Sequence, residues 1–132
     1  MMQALGLIEV VGLAAGFEAA DVACKTANVE LVGYELAKGG GYVTIKVLGQ
    51  VGAVNAAVDA AAVAAERINR VVSRLVIPRP NDQVEPLVFS ESTVGYEAPK
   101  PEPVAEPSAP AEPAKAPRAK AAPKPAPATE GK

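Results

Sequence analysis

The chain has 132 residues, which is enough for one domain with its own core plus an appendage. Hydrophobic residues make up 49% of it and only five residues are aromatic, so the core must be built mainly from small aliphatic side chains. A net charge of −2 offers no basic excess to a nucleic-acid backbone, and neither a secretory signal nor a stretch of about 18 apolar residues is present, so we expect no nucleic-acid partner, no membrane partner and a cytoplasmic location.

The first half of the chain predicts a strand, a helix and two further strands. The apolar residues 4–10 predict the first strand. The helix that follows is expected to bury a stripe of apolar or small residues spaced by four and three: Leu13, Phe17, Ala20, Cys24 and Ala27. Residues 30–34 and 42–48 predict the next two strands. The later strand is expected to place three residues on one face: Val43, Ile45 and Val47.

A second helix and a short last strand complete the pattern. The helix is expected to begin near residue 51 and to present one apolar stripe: Val51, Val54, Val58, Ala61, Ala65, Ile68 and Val72. Residues 75–77 predict a strand that Pro78 ends, because proline cannot donate a ladder hydrogen bond. The resulting order, βαββαβ, is typical of the α+β ferredoxin-like class, a sandwich with the helices on one face of an antiparallel sheet.

The composition changes sharply near Tyr96. Residues 97–132 hold 10 of the 13 prolines and 11 alanines but no aromatic residue, leucine or isoleucine, so they cannot offset their own ordering entropy. We expect a folded domain over residues 1–90 and a disordered, low-complexity Pro/Ala-rich tail over residues 91–132. Acids precede bases in the tail, which is interpreted as a solvated linker or as a segment that recruits cargo or a neighbouring protein.

The residue types argue against catalysis. Histidine is absent, and four carboxylates that fall off the apolar helix stripes are interpreted as surface charges: Glu18, Asp21, Asp59 and Glu66. The single cysteine, Cys24, lies on the expected core stripe and has no evident activating base. We therefore expect no catalytic residue, no metal site and no cofactor.

The run Lys38-Gly39-Gly40-Gly41 is the unusual local feature, and three interpretations remain open. It is a hairpin turn, in which glycine supplies positive φ. Alternatively it holds a phosphate, although neither common phosphate-loop spacing is present. A third possibility is that several copies of the loop approach a common axis, where their backbone amides line an opening.

Three stretches resemble the hexameric shell proteins of bacterial microcompartments, with the propanediol and ethanolamine types most similar. They are MQALGLIEVVGL, KTANVELVGYELAKGGGYVTIKVLGQVGAVNAAVDAA and SRLVIPRP, which together cover most of residues 2–80. The resemblance implies a structural role in a shell within the cytoplasm, without enzyme activity. The alternatives are a small-ligand regulatory domain of the same topology and a weak enzyme that uses carboxylates.

The resemblance also implies the assembly and its sites. Six copies would form a disc with a central pore for small metabolites, and discs would tile into facets beside other shell proteins and enclosed enzymes. The implied pore-lining residues are Lys38, Gly39, Gly40 and Gly41. The implied contacts at the hexamer edge are Lys25, Asn28 and Arg79. In this chain the lysine directly precedes the glycines and Tyr42 follows them, which departs from the commonest pattern of the family.

Overall fold

The computed structural model describes residues 2–97, which form five strands and three helices. The bounds are β1 Ala4–Val11, α1 Leu13–Thr26, β2 Val29–Leu36, β3 Tyr42–Gly49, α2 Val51–Glu66 and β4 Val71–Ile77. A 3₁₀ turn over Asp82–Val84, the one-turn helix α3 over Glu85–Val88 and the two-residue strand β5 over Thr93–Val94 follow. Within residues 2–97 no helix is long and apolar enough to cross a membrane.

The strands form one antiparallel sheet in the order β4-β1-β3-β2-β5. The first four strands have the arrangement of the predicted α+β ferredoxin-like fold, which is confirmed. Strand β4 begins at Val71, four residues earlier than expected, and ends at Ile77 before Pro78 as expected. Residues 71 and 72 were predicted to continue the second helix, but α2 ends at Glu66.

The main core lies between the sheet and the two long helices. The three residues predicted to share a face of β3 are all buried there: Val43, Ile45 and Val47. From α2 the core receives the middle of the predicted stripe, whereas Val51 at one end of that stripe is exposed. Because most of the inward-facing helix residues are alanines, both helices lie close to the sheet.

The predicted stripe of α1 is correct at Ala20, which is buried, and at Ala27, which packs against the core, but wrong at its three larger residues. The residues that α1 buries are small: Ala15, Gly16, Ala19, Ala20 and Ala23. Leu13, Phe17 and Cys24 are exposed instead. Alanine occurs on several faces of this helix, so the positions of the larger side chains predicted the wrong buried face. The small side chains are buried instead, because they allow the helix to pack closely on β3.

A second small core on the opposite sheet face was not predicted. The chain after β4 folds back across this face, where Val88 is buried with Leu5, Val32 and Leu48. Phe89 and Tyr96 pack beside this cluster, with ring centroids 4.8 Å apart. The single turn α3 therefore lies across the sheet from α1 and α2.

The folded part continues past the domain boundary expected after residue 90. Strand β5 pairs with β2 through Tyr34 with Val94 and Glu35 with Thr93. Residues 91–97 are therefore part of the domain as described. The rest of the segment expected to form a tail, residues 98–132, lies outside the described residues.

Candidate functional site

The glycine loop, Lys38 to Gly41, connects β2 to β3 and is exposed. Its three glycines have φ values of 84°, 66° and 69°, a left-handed conformation that other residues adopt only at a cost. The loop is held at its base because Ala37 N donates to Tyr42 O at 3.0 Å. It is also held from the side, because Gly12 N donates to Gly41 O at 2.7 Å. A flexible-looking sequence therefore has a defined shape.

An aromatic ring and a guanidinium group lie directly behind this loop. A Cβ placed on Gly40 would lie 3.2 Å from Cε1 and Cζ of the Tyr42 ring, so the ring supports the loop from one side. Arg70 Nη2 donates to the Tyr42 hydroxyl at 3.2 Å, and the guanidinium carbon lies 6.0 Å from the ring centroid. The partnership of Arg70 with Tyr42 was not predicted from the sequence.

The expected edge residues lie at the opposite end of the sheet from the glycine loop. Lys25 and Asn28 precede the start of β2, and Arg79 follows the end of β4. The register brings these two strand ends to the same side, since Val29 is opposite Gly49 and Leu5 is opposite Ile77. The three side chains are exposed. Seven strand steps along β3 separate the two ends by about 23 Å.

Lys25 is constrained by a neighbour on its own helix. Its ammonium group contacts Asp21 Oδ2 at 2.6 Å, one helical turn away. This hydrogen bond and the charge of Asp21 raise the pKa of Lys25 above its ordinary value. Lys25 is therefore an exposed positive charge at neutral pH, with Asp21 as its partner on the same helix.

A buried lysine fastens the segment after β4 to the sheet. Lys46 is only 4% exposed, and its ammonium group donates to Glu35 Oε2 at 2.6 Å and Thr93 Oγ1 at 2.8 Å. It also donates to the carbonyl oxygens of Leu87 at 2.9 Å and Val88 at 3.2 Å. Sequence reasoning missed this cluster. The available signal was a lysine in the middle of an otherwise apolar strand, next to a strand that carries a glutamate.

The domain exposes apolar side chains on both lateral sides of the sheet. On the side of α1 and β2, the exposed residues include Phe17, Leu31 and Val94. They border a hollow of about 220 Å³ whose floor includes Gly33 and Tyr34. On the side of α2 and β4, the exposed apolar residues include Val63, Val72 and Leu75. Two unpartnered apolar sides on one small domain are typical of an interaction surface.

Of the four carboxylates that were interpreted as surface charges, Glu18 is half-buried and lines one hollow between α1 and α2 together with Asp59 and Arg67, and the other three are exposed. Asp21 and Asp59 are exposed and form ion pairs with Lys25 and Arg74 respectively. Glu66 is exposed at the end of α2. Within residues 2–97 no group of three or more acids and cysteines is arranged to hold a metal ion. The arrangement favours binding and assembly over catalysis.

Known proteins resemble this domain over nearly its whole length. The profile of the BMC domain family matches residues 4–80. The bacterial microcompartment shell protein PduA of Citrobacter freundii is 52% identical over 86 residues, which are 65% of this chain and 91% of PduA. The carboxysome shell protein CsoS1A of Hydrogenovibrio crunogenus is 51% identical over 89 residues, 67% of this chain and 92% of its own length.

A solved structure supports the same assignment. A microcompartment protein from Desulfitobacterium hafniense DCB superposes with a TM-score of 0.59 and 35% identity, over 64% of this chain and 48% of that one. The present chain thus spans about half the length of that solved chain. The relatives do not favour the alternative of a ligand-binding regulatory domain. The chain belongs to the BMC domain family, and it is a structural shell protein of a bacterial microcompartment and not an enzyme.

Proposed function

We propose that six copies of this chain form a cyclic disc in which the glycine loops surround a central pore and Lys25, Asn28 and Arg79 lie at the outer edge. The observation that carries this proposal is the placement of the two groups at opposite ends of one sheet. In a disc, one end of each protomer faces the central axis and the other end faces the rim. The glycine loop lies at one end of this domain and the three charged or polar residues lie at the other, as such a disc requires.

The two apolar sides support a ring. A closed ring needs heterologous contacts, in which one side of a protomer meets the other side of the next. The hollow beside Phe17 and the exposed apolar residues of β4 lie on opposite edges of the sheet, as this geometry demands. Repeated around the ring, such contacts would cover every apolar side and leave no free edge.

The loop supports passage of small polar molecules. Three consecutive glycines present backbone amides without side chains, so copies of the loop can approach an axis closely. Lys38 is exposed at the start of the loop and would contribute a ring of six positive charges. Its replacement by glutamate in an intact shell is expected to slow the entry of anionic metabolites, and unchanged flux would refute this role of Lys38.

The proposed partners are neighbouring hexamers, other shell proteins and enclosed enzymes. The basic residues late in the tail, between Lys115 and Lys124, would suit an acidic surface on such a partner. Deletion of residues 98–132 is expected to leave hexamers intact and to reduce cargo recovery if the segment recruits cargo. Full recovery would favour the linker interpretation.

Native mass spectrometry of the full chain tests the proposal most directly. We expect a discrete species of six protomers at low protein concentration. Lys25→Ala and Arg79→Ala are then expected to keep this species and to lose the extended sheets seen by electron microscopy at higher concentration. A monomer or a dimer in the wild type would refute the ring and the pore together.

A further inference from the structure

The strongest feature that the proposed function does not yet use is the pair formed by Tyr42 and Arg70 behind the glycine loop. The Tyr42 ring lies against Gly40, and its hydroxyl accepts from Arg70 Nη2. The backbone of Arg70 is itself fixed, because Val11 N donates to Arg70 O at 3.0 Å and Arg70 N donates to Asn69 Oδ1 at 2.8 Å. The guanidinium group is therefore attached to a rigid part of the domain.

The charge of Arg70 is not neutralised by an acid. The ion pairs among residues 2–97 join Lys25 with Asp21, Lys46 with Glu35, and Arg74 with Asp59, and none includes Arg70. The side chain is exposed, and the only acceptor it has within those residues is the Tyr42 hydroxyl at Nη2. Its Nε and Nη1 hydrogens are thus free to meet an anion.

Other charged groups share this end of the domain. Lys38 begins the loop, Glu66 and Arg67 lie at the end of α2, and Glu9 near the end of β1 accepts from Ser73 Oγ at 3.2 Å. Among these, Arg70 alone is joined to the loop through a side chain that touches a glycine. Its guanidinium group is therefore connected to the glycine loop through the Tyr42 side chain.

We propose that the Tyr42 and Arg70 pair is a specificity-determining element of the pore, which favours small anions, such as those that carry a carboxylate or a phosphate group, over neutral molecules. This inference rests on the proposed pore. Six guanidinium groups set just behind the glycine loops form a second positive ring in addition to that of Lys38. Arginine suits this role because it presents a planar set of donors to carboxylate and phosphate oxygens and stays charged at any physiological pH.

The test measures flux into shells assembled from the full chain and its companion shell proteins, with a fluorescent reporter enclosed. Iodide serves as the anionic quencher and acrylamide as the neutral one, and the ratio of their quenching rates reports anion preference. In Arg70→Gln we expect this ratio to fall by about twofold or more, because a positive ring raises the local concentration of anions and the ring of Lys38 would remain. Arg70→Lys keeps the charge and is expected to retain most of the preference.

Tyr42→Phe and Arg67→Gln complete the design. Tyr42→Phe keeps the ring against Gly40 and removes only the hydroxyl, so it should lower the ratio less than Arg70→Gln does. Arg67→Gln removes an exposed cation at the end of α2 that has no part in the contact between Arg70 and Tyr42, so it should also lower the ratio less than Arg70→Gln does. Native mass spectrometry checks that each variant remains hexameric.

The possible outcomes distinguish a failure of this inference from a failure of the proposed pore. If the wild-type ratio exceeds that of Arg70→Gln and Arg70→Lys restores it, the inference stands. Hexameric shells in which Arg70→Gln has the wild-type ratio would overturn the role of this pair while leaving the pore intact. Wild-type chain that forms no hexamer would overturn the pore, and this inference with it.

Discussion

At the scale of single residues, Lys46 forms the hydrogen bonds that attach the segment after β4 to the sheet face opposite α1 and α2. Its removal would take the ammonium donor from Glu35 and from the Leu87 carbonyl oxygen, whereas the Val88 carbonyl oxygen would still accept from Thr93 Oγ1. The Glu35 side chain is 36% exposed, so we expect Lys46→Met to lower the free energy of unfolding by about 2 kcal/mol, the size typical of leaving partly buried polar groups without a partner. Urea unfolding of the full chain at fixed protein concentration measures it, since assembly adds to apparent stability.

Arg74→Met is the matched control for this prediction. Arg74 also forms an ion pair with an acid, but both side chains are more than half exposed. Arg74→Met should lower the free energy of unfolding by less than about 1 kcal/mol, because solvent screens the ion pair. Equal losses in the two variants would show that Lys46 does not hold the segment after β4 in place.

Lys25 gives a prediction about pH. The hydrogen bond and the charge of Asp21 raise its pKa above 10.5, so the charged form is favoured in the folded state. The stabilisation is fully present below the unfolded-state pKa and is lost as the pH rises through the folded-state value, which lies in the alkaline range. The pair should therefore be intact at neutral pH and be lost in alkaline solution.

The measurement for Lys25 is its titration by NMR, followed at the side-chain carbon next to the ammonium group. In Asp21→Asn the midpoint should move to lower pH, because the negative charge is gone and a neutral amide remains. Arg74→Gln, which removes a charge from a different ion pair, should not move it. An unchanged midpoint in Asp21→Asn would contradict the assigned cause.

At the scale of elements, the glycine loop offers a test of backbone conformation. Gly40 has φ 66° and a virtual Cβ only 3.2 Å from the Tyr42 ring. Gly40→Ala should therefore lower the free energy of unfolding by about 1–2 kcal/mol, because alanine is strained in the left-handed conformation. Any displacement of the Tyr42 ring would add to this loss. Gly52→Ala is the matched control, because Gly52 lies in α2 with no atom within 4 Å of the added carbon.

In the control variant, the change in stability should have the opposite sign. Alanine in a helix is favoured over glycine by about 0.5–1 kcal/mol, so Gly52→Ala should stabilise the protein slightly. Thermal melts of both variants at one protein concentration give the comparison. If Gly40→Ala is as stable as the wild type, the loop does not need the left-handed conformation.

The sequence predicted the elements better than it predicted their contacts. The face that β3 presents to the main core was predicted correctly because Val43, Ile45 and Val47 alternate with other residues, but the burial of Lys46 and Leu48 on its other face was not predicted. The stripe of α1 was wrong because alanine lies on several faces, and Phe17 looks like a core residue although 55% of it is exposed. The short strand β5 has no sequence pattern of its own. It depends on Gly33, where a Cβ would lie 2.1 Å from Val94 O.

The candidate site was predictable in part for a similar reason. Three adjacent glycines predict an unusual loop from local chemistry alone. That the loop and Arg79 lie at opposite ends of the sheet follows once the βαββαβ order is recognised. The pairing of Arg70 with Tyr42 joins residues 28 positions apart, and the binding of Lys46 to Thr93 joins residues 47 apart. No periodicity within either segment carries that information.

At the scale of the whole molecule, the two apolar sides explain why a residue such as Phe17 is retained on the surface. Exposed apolar area on one side alone would favour a two-fold dimer, in which the same surface meets itself. Apolar area on both sides favours head-to-tail contacts, and these close into a ring when the angle between sides allows. The proposed disc therefore depends on both sides equally.

Two variants test this head-to-tail geometry. Phe17→Glu and Leu75→Glu each place a charge on one side, at residues that are 55% and 54% exposed, so the fold should tolerate both. Alone, each variant should be a monomer, because every contact would need a blocked side. Mixed in equal amounts, they should form a one-to-one dimer, in which the intact side of one meets the intact side of the other.

Native mass spectrometry with one variant isotopically labelled reads out this dimer. Leu87→Glu is the control, since Leu87 is 70% exposed on the segment that crosses the other sheet face and should not disturb the ring. A two-fold interface makes a different prediction, because a variant blocked on the unused side would remain a dimer by itself. A dimer of Phe17→Glu alone would therefore exclude the head-to-tail ring, whereas a dimer found only in the mixture requires it.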